Sequence, residues 1–331
     1  MPVPAIPPGK LPTSLLRRLL ADGGQPREVR LGPAVGEDAS AIEVPAGVLV
    51  ASTDPITLAG RGVGRFAAII SANDVAVTGA RPRWFLATVL MPPGTVEADL
   101  EELFADMRSA LDSVGAALVG GHTEITAAVS QPVVVGQMLG MAEPGRLIST
   151  GGVGVGDAIV QIGAAPIEGA AVLAAEAADR LSDLDPATLR AAVGATLKPG
   201  ISVVEPALEA ARLGATALHD PTEGGIASGL HEIAAAGGVG LTVEPDRLLW
   251  FQPGLAVCSA LGADPWATLA SGALLAAFPA RAAGSALAEL TRWGHPARRI
   301  GTAGAGSGVR LEDGRPLPWP ERDEVARILA G

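Results

Sequence analysis

The sequence predicts an α/β (α+β) fold that is divided into two domains. The chain has 331 residues, whereas a single hydrophobic core stops growing at roughly 250–300 residues. Short apolar segments that fit buried strands alternate with longer segments whose apolar residues recur at helical spacing. A glycine-rich segment, residues 149–157, interrupts this alternation, so we expect domains over residues 1–149 and 150–331.

The elements of the N-terminal half follow from apolar runs and the residues that bound them. Helix-capping residues precede the first helix, and four acids lie near the start of the third, where the helix dipole favours negative charge. Helices are expected over residues 15–21, 66–77 and 96–114. Strands are expected over residues 48–51, 84–90, 117–119 and 133–141.

The C-terminal half repeats the strand-then-helix rhythm. Strands are expected over residues 158–162, 215–218 and 272–278. Helices are expected over residues 167–179, 203–213, 224–236 and 282–293. The glycines of residues 149–157 lack the spacing of a dinucleotide fingerprint and precede a strand rather than a helix, so that segment is expected to be a linker and turn.

Composition and charge exclude several classes of protein. The formal net charge is −11 and no basic block occurs, which argues against a nucleic-acid surface. No uninterrupted run of about 18 apolar residues occurs, and the N-terminus does not fit a signal peptide, so no membrane span is expected. The single cysteine, Cys258, excludes an intrachain disulfide framework. We therefore expect a cytoplasmic location.

Four short acidic motifs in the first 125 residues carry the functional signal. They occupy residues 35–39, 52–54, 71–74 and 120–124. Asp54 ends an apolar strand, and Asp74 interrupts an apolar helix, where an unpaired charge would be costly. Mg²⁺ is usually held by a few carboxylates together with substrate phosphates. The motifs together predict a site for magnesium and a polyphosphate.

Residues beside the acids fit the same interpretation. Gly36 allows backbone to approach a ligand close to Asp38, although an aspartate in a turn is an equally simple explanation. Gly120 and Gly121 leave the backbone open for phosphate or ribose, whereas His122 is more simply a structural histidine than a ligand.

Lysine is nearly absent from the chain. Lys10 and Lys198 are the two candidates for an ammonium group that binds phosphate. Lys10 is not part of a P-loop, because the upstream glycine and the following Ser or Thr are missing. A solvated lysine on an N-terminal arm is the alternative for Lys10, and a helix end is the alternative for Lys198.

The ordered motifs resemble the aminoimidazole-ribonucleotide (AIR) synthetase superfamily. The matching segments are Gly-Glu-Asp-Ala at 36–39, Ser-Thr-Asp at 52–54, Ala-Asn-Asp-Val-Ala-Val-Thr-Gly-Ala at 72–80, Gly-Gly-His-Thr-Glu at 120–124, His-Asp-Pro-Thr-Glu-Gly-Gly at 219–225 and Ser-Gly-Ala-Leu-Leu at 271–275. The resemblance covers nearly the whole chain and is greatest to the hydrogenase-maturation (HypE) branch of the superfamily.

This resemblance implies two α/β domains, and a homodimer in which the N-terminal sheets form a barrel-like interface beside the ATP cleft. It implies ATP and Mg²⁺ as cofactors, an acceptor substrate, and a maturation protein as a candidate partner. The implied metal ligands are Asp38, Asp54, Asp74 and Glu124. The implied catalytic set is Asp74 and Asp220, with Lys10 added as the candidate ammonium. The implied cofactor-binding residues are Gly36, Asn73, Gly120, Gly121, Thr123, Thr222, Gly224 and Gly225.

Three departures limit what the resemblance implies. HypE acts on a cysteine at its own C-terminus, and this sequence has none there, so self-modification is not expected. Cys258 lies in an apolar helical stretch and is expected to be a buried packing residue. His122 and Glu223 stand where relatives often carry an acid and an arginine, which affects the metal-ligand count and the acceptor.

Three functions remain open. The first is an ATP-dependent enzyme that activates an amide-type or thiocarbamate-type oxygen of a separate acceptor. The second is a small-molecule kinase of the thiamine-monophosphate kinase type. The third is a nucleotide-binding assembly subunit without turnover.

Overall fold

The computed structural model describes residues 13, 29–31, 36, 40–44, 47–57 and 62–330, which contain two six-stranded sheets. The N-terminal sheet comprises β1 (Val29–Leu31), β2 (Ser40–Val44), β3 (Gly47–Ile56), β4 (Arg81–Met91), β5 (Ala117–Ile125) and β6 (Val133–Ala142). Its strand order is β1-β2-β3-β6-β4-β5. Neighbouring strands are antiparallel except β4 and β5, which are parallel and joined by a helical crossover.

Two helices cover one face of this sheet. Helix α1 (Val63–Ala76) lies on β3 and β6, and α2 (Glu97–Val114) packs on α1. Nearly every residue of α1 is buried, which is expected for a helix that is apolar all round and lies between a sheet and a second helix. Phe85, Ala87 and Val89 of β4 are buried in the same core.

The opposite face of the N-terminal sheet is open. The alternate residues of β4 and β6, among them Trp84, Leu86, Leu90 and Val135, are only partly buried. Strand β5 forms one edge of the sheet, and most of its residues are exposed.

The C-terminal sheet comprises β7 (Ala158–Ile162), β8 (Ala217–His219), β9 (Gly240–Val243), β10 (Leu274–Phe278), β11 (Ala297–Gly304) and β12 (Gly308–Leu311), in the order β12-β9-β11-β7-β10-β8. The accompanying helices are α3 (Glu168–Glu176), α4 (Pro186–Val193), α5 (Val204–Arg212), α6 (Gly225–Gly237), α7 (Gln252–Leu261), α8 (Ala280–Arg292) and α9 (Glu324–Leu329).

Helices cover both faces of the C-terminal sheet. Strands β7 and β10 are buried along their whole length. Leu274, Ala276 and Phe278 share a core with α5 and α8, whereas Leu275 and Ala277 share a core with α6. This alternation of side chains between two covered faces follows from the two-residue repeat of a strand.

The structure confirms the predicted α/β elements wherever it describes them, within a few residues at their ends. Strands β3 and β5 are corrections, because they continue through the motifs at 52–54 and 120–124 that were expected to follow them. Strands β1, β2, β9, β11 and β12 and helices α4 and α9 were not predicted, and the helix expected over 15–21 lies outside the described residues. Among the helices in the described part of the chain, none is both long and apolar enough to cross a membrane.

Candidate functional site

The predicted meeting of the second and third acidic motifs is present in the structure. Asp74 lies on α1 and is buried, and its Oδ2 accepts a hydrogen bond of 2.5 Å from the Ser52 hydroxyl on β3. Asp54 is two residues beyond Ser52, so its side chain is on the same face of β3 as Ser52. Two carboxylates from neighbouring elements therefore lie on the α1 face of the N-terminal sheet, near the end of β3.

Asn73 holds the two domains together. Its Nδ2 donates to the Ile201 carbonyl at 2.9 Å, and its Oδ1 accepts from the Val203 N–H at 2.8 Å. The residue is fully buried. Both ends of the amide are thus bonded to the backbone before α5, so Asn73 has a positioning role beside Asp74, and its contact with a cofactor stays a prediction.

The loop after β8 presents Asp220, Thr222 and Glu223. Asp220 is 2 % exposed, and the preceding His219 makes a hydrogen bond of 2.8 Å to Glu232 on α6. The Thr222 carbonyl accepts from the N–H groups of Gly225 and Ala270, which closes the loop against the segment before β10.

The predicted glycines of this loop have a packing role. Gly225 begins α6 with φ at +63°, and an added Cβ would lie 2.5 Å from the Trp266 carbonyl oxygen. The Gly224 N–H donates to Asp323 at 2.8 Å. At Gly224, φ is +76° and an added Cβ would lie 2.1 Å from Ser228 Oγ, so local packing explains glycine at both positions and contact with a nucleotide stays a prediction.

A third buried carboxyl group, that of Glu168, lies in the first turn of α3. It is 6 % exposed, and burial raises the pKa of its carboxyl to about 7. The negative charges of Asp323, Asp54 and Glu223 raise this pKa further, whereas the neighbouring Ser271 hydroxyl lowers it. Because Asp54 belongs to the N-terminal sheet, an acid of that domain acts electrostatically on Glu168 in the other.

Asp323, at the start of α9, is the fourth buried acid of this group. Burial raises the pKa of its carboxyl to about 7. The carboxyl accepts hydrogen bonds from the N–H groups of Gly224 at 2.8 Å and Val325 at 2.7 Å, and these bonds lower the pKa. Asp323 caps its own helix and also fixes the position of the loop that carries Asp220 and Glu223.

The motif at 120–124 on β5 lies away from the acid group, at the edge of the N-terminal sheet. Strand pairing places Asp54, Gly136, Ala87 and Gly121 in one row across the sheet, about 14 Å from end to end at the spacing of neighbouring strands. Gly121 has φ at +146°, and a Cβ there would lie 2.0 Å from the Ala87 carbonyl oxygen. Tight strand packing therefore accounts for this glycine.

Glu124 is not part of the acid group within one chain. It pairs with Leu90, whose side chain points to the open face, whereas Asp54 is on the face covered by α1. Glu124 and His122 are exposed, and their side chains are 3.3 Å apart. Within one chain the sheet therefore separates Glu124 from Asp54 and Asp74, and its predicted role as a metal ligand stays a prediction. Thr123 and Gly120 lie on the same exposed strand.

The first acidic motif can be placed only in part. Gly36 packs against the backbone of Glu232 on α6. Asp38 and Lys10 lie outside the described residues, so their predicted roles stay predictions.

The donor set fits Mg²⁺ bound together with phosphate. Among the described residues, no group of three or more His, Cys, Asp or Glu side chains forms a metal cage. Asp54 and Asp74 remain, and one or two carboxylates plus substrate phosphates are the usual environment of Mg²⁺. These residues would hold the ion against the phosphates of ATP.

Sequence reasoning missed Glu168 and Asp323, and it quoted Ser271 only as part of a motif. Glu168 could have been found, because it is a lone charge before the apolar run Gly169–Ala175. Asp323 carried no comparable signal, since a capping aspartate before a short terminal helix is common.

The comparisons with known proteins agree with this architecture. The model of the AIR synthase related protein N-terminal domain matches residues 36–142, and that of the C-terminal domain matches residues 154–314. The chain is 32 % identical to carbamoyl dehydratase HypE of Rhodobacter capsulatus over 76 % of this chain and 73 % of the relative.

Solved structures give the same result. The crystal structure of Escherichia coli HypE, a hydrogenase maturation protein, is similar with a TM-score of 0.73 and 27 % identity over 88 % of this chain and 93 % of that chain. A HypE structure in complex with ATP shares the fold, with a TM-score of 0.72 and 24 % identity over 94 % of this chain and 96 % of that chain. The predicted fold and superfamily are confirmed: the chain belongs to the AIR synthase-related protein family.

Proposed function

We propose that this chain is a Mg²⁺-dependent enzyme of the carbamoyl dehydratase type, which uses ATP to activate the amide-type oxygen of a separate acceptor. The observation that carries the proposal is the arrangement of acids from both domains: Ser52 binds Asp74 on the same strand face as Asp54, and Asp54 acts electrostatically on Glu168, together with Glu223 and Asp323. The names of the relatives supply the reaction class.

The reaction removes water from a primary amide. The amide oxygen forms a bond to the γ-phosphorus of ATP and ADP leaves. The carbon–oxygen bond then breaks, inorganic phosphate departs with that oxygen, and the nitrogen loses its two protons to give a nitrile. The protein contributes positioning and charge compensation.

The described residues have distinct parts in this proposal. Asp54 and Asp74 would hold Mg²⁺, which would supply charge compensation for the phosphates of ATP. Ser52 orients Asp74, and Asn73 fixes α1 to the backbone of Ile201 and Val203 in the other domain. Asp38 and Lys10 are added from the sequence motifs as a further ligand and a phosphate-binding cation.

The acceptor is proposed to be separate because Cys258, the cysteine of this sequence, is buried on α7. Burial raises the pKa of its thiol, so the thiolate that would carry a carbamoyl group is disfavoured. A thiocarbamate on a partner protein or a small molecule fits better than self-modification of Cys258.

Calorimetric titration of ATP with and without Mg²⁺ tests the metal assignment. We expect Asp54→Asn and Asp74→Asn to weaken Mg²⁺-dependent ATP binding at least about 10-fold, since each removes one anionic ligand. Asp112→Asn, on the exposed side of α2, is the matched control. Undiminished ATP affinity in both site variants would refute the metal assignment. A separate assay measures ADP release with and without an added amide. Release that depends on the amide shows an enzyme rather than a nucleotide-binding subunit.

A further inference from the structure

Glu168 has a carboxyl oxygen that the fold does not use. The residue is 6 % exposed, and its Oε2 has no hydrogen-bond partner among the described residues. The Ser271 hydroxyl lies beside the carboxyl and lowers its pKa by hydrogen bonding, but it does not reach Oε2 in good geometry. A buried polar atom without a partner costs roughly 1–3 kcal/mol, which a ligand donor at Oε2 would recover.

The position of Glu168 places this oxygen in the site. The N–H of Gly169 donates to the Leu269 carbonyl at 2.9 Å, which fixes the start of α3 to the segment that carries Ser271. The next residue, Gly272, packs on the backbone of Gly200 and Ile201. Ile201 is the residue that Asn73 binds, directly beside Asp74.

A purely structural explanation accounts for only part of this arrangement. The dipole of α3 favours an acid in its first turn. That effect is available to an exposed side chain, as in most helices, and it does not require burial. It also leaves Oε2 without a partner among the described residues.

The charges around Glu168 restrict what it can bind. The charges acting on it, those of Asp323, Asp54 and Glu223, are all negative. A phosphate or carboxylate group next to Glu168 would be repelled, whereas a neutral or cationic N–H group would supply the missing donor.

We propose that Glu168 is an acceptor-binding residue whose Oε2 receives an N–H of a neutral primary amide or thiocarbamate, with Ser271 beside it. The inference rests on the proposed function, because it names the group in the same site that recognises the acceptor. If Glu168 has this role, the acceptor is a molecule with a neutral N–H donor and not a phosphate monoester. The proposed role of Glu168 is in binding the acceptor and not in a chemical step.

The test uses the full chain with Mg²⁺-ATP and two probes, S-ethyl thiocarbamate and thiamine monophosphate. We expect the thiocarbamate to stimulate ADP release and the phosphate monoester to have no effect. Glu168→Gln and Glu168→Ala should raise the KM for the thiocarbamate at least about 10-fold, while the Kd for ATP changes less than about 2-fold. Glu176→Gln, exposed at the other end of α3, is the matched control and should change neither quantity.

Each outcome decides between the possibilities. Stimulation by thiamine monophosphate, or by neither probe while ATP binds, overturns the inference but leaves the nucleotide site intact. An unchanged KM in both Glu168 variants also overturns it. A wild-type chain that binds no ATP refutes the proposed function itself, and the inference fails with it. Circular dichroism of each variant shows that a raised KM does not come from misfolding.

Discussion

The two sheets differ in how completely one chain covers them. Helices pack on both faces of the C-terminal sheet, so β7 and β10 are fully buried. On the N-terminal sheet, α1 and α2 cover one face, and the other presents Trp84, Leu86 and Leu90 partly exposed. The C-terminal core is complete in one molecule, whereas an apolar sheet face of this kind marks a contact surface.

The same difference separates the acidic residues. Glu168, Asp220 and Asp323 of the C-terminal domain are buried, as is Asp74, whereas Glu124 and His122 on β5 are exposed. The acids of the site therefore lie where α1 meets the C-terminal domain. The motif on β5 belongs to the exposed edge of the N-terminal sheet.

The largest predicted effect is on assembly. We expect a homodimer through the open face, so that Leu86→Asp with Val135→Asp makes the particle monomeric. An unpaired carboxylate buried at each position costs several kcal/mol, which raises the dissociation constant at least about 1,000-fold. Light scattering at micromolar concentration measures the particle mass.

The control for assembly is Val193→Asp on α4, where an apolar side chain is also exposed but lies in the other domain. It should leave the mass unchanged. A wild-type chain that is monomeric under these conditions contradicts both the dimer and the interpretation of the open face.

The second prediction concerns the junction between the domains. Asn73→Ala removes the partners of the Ile201 carbonyl and the Val203 N–H, so we expect the free energy of unfolding to fall by about 2–5 kcal/mol. Ser71→Ala is the control, because Ser71 is equally buried on the same helix but its hydroxyl has no partner. Urea unfolding measures both, and an equal loss in the two variants would show that Asn73 does not join the domains.

Much of the fold could be predicted from the sequence because its elements have strong local signals. The apolar run of α1 and the apolar segment of β10 are examples, and the ends of each lie within three residues of the predicted ends. Strands β9 and β12 are each only four residues long, and they pair with each other although they are far apart in the sequence, so no local periodicity marks them.

The candidate site was predictable in part for the same reason. The convergence of Asp54 and Asp74 followed from their places at the end of a strand and in an apolar helix. The separation of Glu124 from them did not, because it depends on strand order and on which face each side chain takes. The domain-joining role of Asn73 depends on a contact with residues about 130 positions away.

The third prediction concerns pH and tests whether the buried acids destabilise the C-terminal side of the site. The pKa of Glu168 is 4.5 in ordinary surroundings and about 7 in the folded chain. Between these values the folded state keeps a proton that the unfolded state releases, so stability falls as pH rises from about 4.5 to about 7 and then levels off. This difference in pKa corresponds to about 3 kcal/mol.

Glu168→Gln removes that titration. Its free energy of unfolding, measured by urea titration at several pH values, should exceed that of the wild type by up to about 3 kcal/mol at pH 8 and by little at pH 4.5. Glu176→Gln should follow the wild-type curve, because that side chain is exposed. A Glu168→Gln curve parallel to the wild type would mean that the carboxyl is solvated in the folded chain.

The smallest predicted effect concerns Cys258, which lies in the closed C-terminal core rather than at the open sheet. Its thiol is 3.6 Å from Thr268 Oγ1, which already donates to the Asp264 carbonyl at 2.7 Å, so removal of the sulfur breaks only a weak contact. Cys258→Ala should cost about 1 kcal/mol of stability and leave ATP affinity unchanged, because the thiol belongs to the packing of α7 and not to the acid group.

Carbamoyl phosphate with its transferase should add no carbamoyl or cyano group to the native chain, as mass spectrometry measures, since the thiol is 1 % exposed and its pKa is raised by burial. Iodoacetamide should label Cys258 in urea but not in buffer, and an adduct on the native thiol would instead place the acceptor on this chain.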